Sequence, residues 1–291
     1  PDTTPWIIGA VEAVLVGYCL LGGGKRVIKA TSTLVPLMGV IYISVAFILT
    51  IMHINLVPGV VGRIFAEAFD FTAIFGGFAG SCMMFGIKRG LYSNEAGVGS
   101  APNAAAAADV SHPVKQGLVQ MLSVFIDTLL ICTATAFMCL SSGIEPTKEL
   151  AGAPYVQAAL AASMGDYAKL FITVSMVLFA FTTLLGNLYY VDNAFAYVLK
   201  HVPGKTFTLC YRILACVLIF IGAGSSMGTM WDLADVTMGF MAIINLPVIC
   251  ILGGPALRAL DDYTEQRDAG KNPEFKASKI GLTQNLDYWQ D

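Results

Sequence analysis

The chain has 291 residues, 56% of them apolar and 13% charged, with a net charge of −3 and a mean hydropathy of +0.69. A soluble domain carries about 25% charge, so this composition excludes a protein wholly surrounded by water and requires lipid as part of the solvent. The negative balance argues against a nucleic-acid partner. The seven cysteines form no C-x-x-C pair and the three histidines no H-E-x-x-H motif, which argues against a metal centre or a cofactor site.

Seven apolar segments follow one another, near Trp6–Leu21, Leu34–Ile54, Phe71–Ile87, Leu118–Leu140, Leu170–Val191, Phe207–Gly222 and Leu233–Leu252. Several approach the roughly 20 residues that cross a bilayer as a helix. Backbone groups in lipid must be satisfied internally, so helices are predicted rather than isolated strands. The chain begins at Pro1 with no initiator methionine, and the first segment starts almost at once. A fragment whose N-terminal part is missing is therefore expected. Seven alternating spans put fourteen of the seventeen Lys and Arg residues on one side, leaving Arg63, Lys148 and Lys169 on the other. The positive-inside rule makes the richer side, with Lys25, Lys88, Arg89 and the C-terminus, cytoplasmic. A transmembrane domain over residues 1–260 and a partly ordered polar tail over 261–291 are expected. Pro58–Asp70 and Ala153–Met164 read as short amphipathic helices on the outer side.

Several residues within these elements bear polar or backbone chemistry. Glu12 lies toward the outer end of the first segment, where it is expected to reach water. The third segment contains Phe75-Gly76-Gly77-Phe78-Ala79-Gly80-Ser81. Clustered glycines weaken a helix by about 1 kcal/mol each. They mark either a broken helix with free backbone groups at the midplane or close packing through small residues. Ser93, Asn94 and Glu95 in the following loop suit helix capping, and Gly97 and Gly99 permit a tight turn. Asp127, followed by Thr128, lies inside the fourth segment. An intramembrane acid is costly, so it serves either as a cation ligand or as a hydrogen-bond partner of a neighbouring helix. Thr182 and Thr183, with the Phe179 carbonyl one turn earlier, offer oxygens that suit a hard cation. Alternatively each threonine bonds its own i−4 carbonyl. Trp231-Asp232-Leu233-Ala234-Asp235 opens the last segment, its acids placed to cap a helix.

Four of these stretches together resemble the sodium:alanine symporter (alanine or glycine:cation symporter) family. They are Arg89–Pro102 (Arg-Gly-Leu-Tyr-Ser-Asn-Glu-Ala-Gly-Val-Gly-Ser-Ala-Pro), Asp127–Ala136, Phe181–Tyr190 and Trp231–Leu246. The similarity covers Trp6 to about Tyr263, with Arg89, Ser93, Asn94, Glu95, Gly97 and Gly99 in its most specific block. After Tyr190 many members continue with Gly-Glu, where this chain has Val191-Asp192. The resemblance implies an all-α polytopic membrane protein with part of the leucine-transporter-type five-plus-five inverted-repeat fold. The seven helices would be core helices four to ten. It implies a transporter in a bacterial-type inner (plasma) membrane that takes up a small neutral amino acid with sodium, with no further cofactor and no catalytic residue. Phe75, Gly76, Gly77, Phe78 and Ser81 would then line the substrate on broken helix six, and Phe179, Thr182 and Thr183 the sodium ion. Asp127 and Thr128 keep either an ionic or a structural role. A channel or pore subunit and a proton-coupled small-solute transporter are the alternatives. The oligomeric state is left open.

Overall fold

A computed structural model of the protein describes residues 3–22, 24–77, 82–147, 150, 152–282, 286 and 289, with backbone alone for 24–28 and 73. Phe78, Ser81 and Lys148, singled out above, lie outside the described residues. Every regular element among those described is helical. They are α1 (Thr4–Leu21), α2 (Gly24–Met52), α3 (Val57–Ala68), α4 (Phe71–Gly77), α5 (Cys82–Ser93), α6 (Ala101–Ala105), α7 (Pro113–Phe125), α8 (Thr133–Leu140), α9 (Ala153–Met164), α10 (Asp166–Leu199), α11 (Lys205–Ala223) and α12 (Met227–Asp268). A π-helical stretch, Ile126–Cys132, joins α7 to α8 without a break.

Six helices are long and apolar enough to cross a bilayer: Thr4–Leu21, Lys29–Met52, Pro113–Leu140, Asp166–Leu199, Lys205–Ala223 and Met227–Asp268. Of the seventh expected span, near Phe71–Ile87, the described residues are helical, in α4 and α5, and residues 78–81 lie outside the described residues. The apolar side chains of the long helices stay largely uncovered: none of the apolar stretch of Lys205–Ala223 is buried. Such a surface is stable only against lipid or further protein.

The described chain forms two compact units, Pro1–Met84 with Leu130–Leu233, and Phe85–Leu129 with Ala234–Asp291. In the first unit, Tyr42, Ala46 and Leu49 follow the i, i+4, i+7 spacing of one helix face on α2. They pack with Met138 of α8, Leu160 of α9, and Ala168 and Ile172 of α10. A second core joins Val16, Cys19 and Leu20 of α1 to Leu185 of α10 and Ile219 of α11. Gly9 lets α1 approach α11 closely, because a Cβ there would overlap the Ala223 methyl. Small residues serve helix packing in lipid in this way.

The second unit holds the end of α5, the loop after it, α6, α7 and most of α12. The polar tail read from residue 261 is continuous with this unit. α12 runs through to Asp268, and Phe275, Ala277 and Ile280 fold back to form a small core with Ala259.

Candidate functional site

The most densely bonded polar assembly in the second unit is built on the loop Arg89–Pro102. α5 ends at Ser93, and its last residues are fastened to the π-helical stretch. Ser93 Oγ donates to Asp127 Oδ2 at 2.8 Å, and Asn94 Nδ2 donates to Thr128 Oγ1 at 3.1 Å. The wider π turn narrows the angle between successive side chains. Two consecutive residues, Asp127 and Thr128, therefore meet the same helix end, and π turns of this kind recur at functional sites. Asn94 also accepts from the Ala96 N–H at 3.1 Å.

The loop then doubles back. Glu95 has φ +59 and Gly99 φ +82, both in the left-handed region, and the Gly99 N–H donates to the Glu95 carbonyl at 2.9 Å. Ser100 Oγ donates to Glu95 Oε2 at 2.9 Å. α12 closes the turn from outside. Asn245 Nδ2 donates to the Ala96 and Gly97 carbonyls, each at 2.9 Å. Its Cβ, Cγ and Oδ1 occupy the space a side chain on Gly99 would need. Nearer its start, α12 presents Asp235, which takes Lys88 Nζ in an ion pair and Arg89 Nη1 at 3.0 Å. The Tyr92 hydroxyl donates to the Asp235 carbonyl at 3.3 Å.

These contacts correct one reading. The acids of Trp231–Asp235 do not cap the first turn of α12, which starts at Met227 with the Ser226 hydroxyl accepting from the Thr229 N–H. Asp235 instead holds α5. Further along α12, Asp262 pairs with Lys279 of the tail at 3.0 Å.

In the first unit, Thr182 is buried and its hydroxyl bonds its own helix, reaching the Leu178 and Phe179 carbonyls at 3.1 Å each. That is the local bonding weighed above, and its oxygen keeps lone pairs for a cation. Thr183 lies one helical step round on the exposed face. The Phe179 ring stands edge-on to Tyr42 at 5.6 Å, and the Tyr42 hydroxyl is 2.9 Å from Thr135 Oγ1. On α4, Phe75 is 86% exposed, and among the described residues nothing lies within 4 Å of where a Cβ on Gly76 or Gly77 would stand. No bond recorded among the described residues ties α4 to Thr182 or Thr183.

Two features escaped the sequence reading. Asp192 accepts from Arg212 Nη2 at 3.0 Å, while Arg212 Nη1 donates to the Leu20 carbonyl at 2.6 Å. The acid in Val191-Asp192 thus joins α10, α11 and the end of α1. Glu12, expected to reach water, is buried instead. Both its carboxyl oxygens lack a hydrogen-bond partner among the described residues. Side-chain spacing along one helix does not show which neighbour covers it.

The chain matches the model of the sodium:alanine symporter family over residues 2–277. It is 42% identical over 285 residues to the amino-acid carrier protein AlsT of Bacillus subtilis, covering 98% of this chain and 60% of that protein. It is 38% identical over 299 residues to the sodium/proton-dependent alanine carrier protein of Bacillus sp. PS3, covering 98% of this chain and 67% of that protein. It is 38% identical over 266 residues to the sodium/alanine symporter AgcS of Methanococcus maripaludis, covering 90% and 58%. The chain thus spans about 60% of the length of the curated relatives it matches.

Proposed function

The chain belongs to the sodium:alanine symporter family, and from that premise we propose that it is the helical core of a sodium-coupled carrier for small neutral amino acids of the alanine and glycine class. The family's named relatives are carriers and symporters rather than enzymes. The observation that carries the reading is the convergence of three motifs within one unit. The Arg89–Pro102 loop, Asp127-Thr128 and the Asp235–Asn245 stretch of α12 are far apart in sequence and bonded together in space. Motifs that recur together because they form one assembly support the resemblance better than any one of them alone.

In this reading the helices are core helices four to ten of the leucine-transporter-type inverted repeat, and uptake proceeds by alternating access. Phe75, Gly76 and Gly77, with Phe78 and Ser81, line the amino acid on broken helix six. There, backbone groups freed by the break complement its ammonium and carboxylate. That no described residue crowds Gly76 or Gly77 supports room for such a ligand. Thr182 and Thr183 with the Phe179 carbonyl give sodium its oxygen ligands. Asp127 acts as an anchor for Ser93, holding the loop rather than the ion. The carrier sits in the plasma membrane with its tail in the cytoplasm.

The test is uptake of labelled alanine and glycine by the full-length carrier in proteoliposomes. An inward sodium gradient should drive accumulation, and an equal potassium gradient should not. Gly77→Val should abolish accumulation while leaving membrane insertion intact. Equal uptake under both gradients, or normal uptake by Gly77→Val, overturns the reading.

A further inference from the structure

Glu12 occupies the middle of α1, on the stripe Gly9, Glu12, Val16, Cys19 and Leu20 that this helix buries. The residue is 7% exposed, and both of its carboxyl oxygens are closed to solvent and unbonded among the described residues. It is the residue type least suited to that stripe. One turn further along, Val16 is fully buried in an apolar core with Leu20 and Leu185.

α1 packs against α2, α10 and α11. The titratable and charged side chains described on these helices include Lys29 and Tyr42 on α2, Tyr189 and Asp192 on α10, and Arg212 and Cys216 on α11, and none bonds the carboxyl. Tyr42 is engaged with Thr135, Arg212 with the Leu20 carbonyl and Asp192, and Cys216 lies against Gly17 instead. Thr182, a buried hydroxyl on α10, spends its proton on its own backbone.

An ionised carboxylate without a partner or water is too costly to keep inside a membrane helix bundle, and such a group takes up a proton instead. A leucine at this position would pack with no polar penalty. A chain that keeps a carboxyl here keeps a group whose charge changes whenever water reaches it.

We propose that Glu12 is a proton-binding site of the carrier, protonated in the packed arrangement and releasing that proton when α1 opens to water. The change is a single association, carboxylate plus proton to carboxylic acid. The proposal rests on the symport reading and adds to it a second coupled ion, for which the PS3 relative's description as sodium/proton-dependent is a parallel.

The experiment compares the full-length carrier with its Glu12→Gln and Glu12→Leu variants in proteoliposomes. Infrared spectroscopy reads the carbonyl stretch of a protonated carboxyl as pH rises. The unaltered carrier should keep one such band after exposed carboxyls have ionised, and both variants should lack it. Leu packs without a polar group, so it guards against a Gln variant that fails to fold. Alanine uptake at a fixed sodium gradient is then followed against pH. Above the titration point the unaltered carrier should lose about tenfold in rate per pH unit, as dependence on one bound proton requires. Glu12→Gln should be flat over that range. A carrier with no band assignable to Glu12, or a Glu12→Gln profile that superimposes on the unaltered one, overturns the proposal. So does a variant whose sodium activation shifts while its pH profile does not, because that would make the site one for sodium. A band present without sodium-driven alanine uptake would refute the symport reading alone.

Discussion

Gly99→Ala probes the signature loop at its tightest point. The residue has φ +82, where an L side chain costs about 1–2 kcal/mol. The new methyl would also enter the space held by the Asn245 amide. Asn245 must then withdraw, and its bonds to the Ala96 and Gly97 carbonyls are lost at about 0.5–1.5 kcal/mol each. The substitution should therefore destabilise the loop by about 2–5 kcal/mol. Asn245→Ala alone removes only the bonds, for about 1–3 kcal/mol. With Asn245 already truncated, Gly99→Ala should cost only the backbone term. The two changes should thus be less than additive, by about 1–3 kcal/mol. Amide hydrogen exchange over Ala96–Ala106 in the full-length carrier, measured for the four members of the cycle, reads this directly. Additivity within about 0.5 kcal/mol would refute the argument, since it would mean that Asn245 does not occupy the space beside Gly99.

Two further outcomes are expected. Thr182→Val and Thr183→Val keep shape and remove one oxygen each, so each should raise the sodium concentration needed for half-maximal alanine uptake by about tenfold, the loss of roughly 1.4 kcal/mol of ligation; unchanged sodium curves in both would remove these residues from the ion site. His112 precedes Pro113, accepts from the Val114 N–H through Nδ1 at 3.2 Å and faces Asp262 through Nε2 at 3.3 Å. Burial holds its imidazole below the ordinary value of 6.5 against the opposing pull of Asp262, with Lys115 and Lys279 acting in the same sense as burial. His112 then binds a proton more readily with the tail undocked than with it docked. Docking of Ala277–Ile280 should be fully stable above 6.5 and weaken as pH falls below it, visible as faster exchange there and absent in His112→Asn.

Composition alone determined that the chain lies in a membrane and is helical, because lipid allows a backbone few other solutions and 13% charge cannot cover a soluble surface. Local signals were equally legible. Ala153–Met164 forms the helix expected there and stops at Gly165. These are near-neighbour effects, fixed within one or two turns. What one helix presents to another was not legible, because an apolar helix in lipid carries no polar face to betray its orientation. So Asp235 reads as a cap until α5 brings Lys88 and Arg89 to it, Asp127 receives Ser93 from 34 residues away, and Glu12 reads as water-exposed until its neighbours close over it. Tertiary packing decided these contacts, since the partner a polar group finds or lacks inside a bilayer comes from elsewhere in the chain.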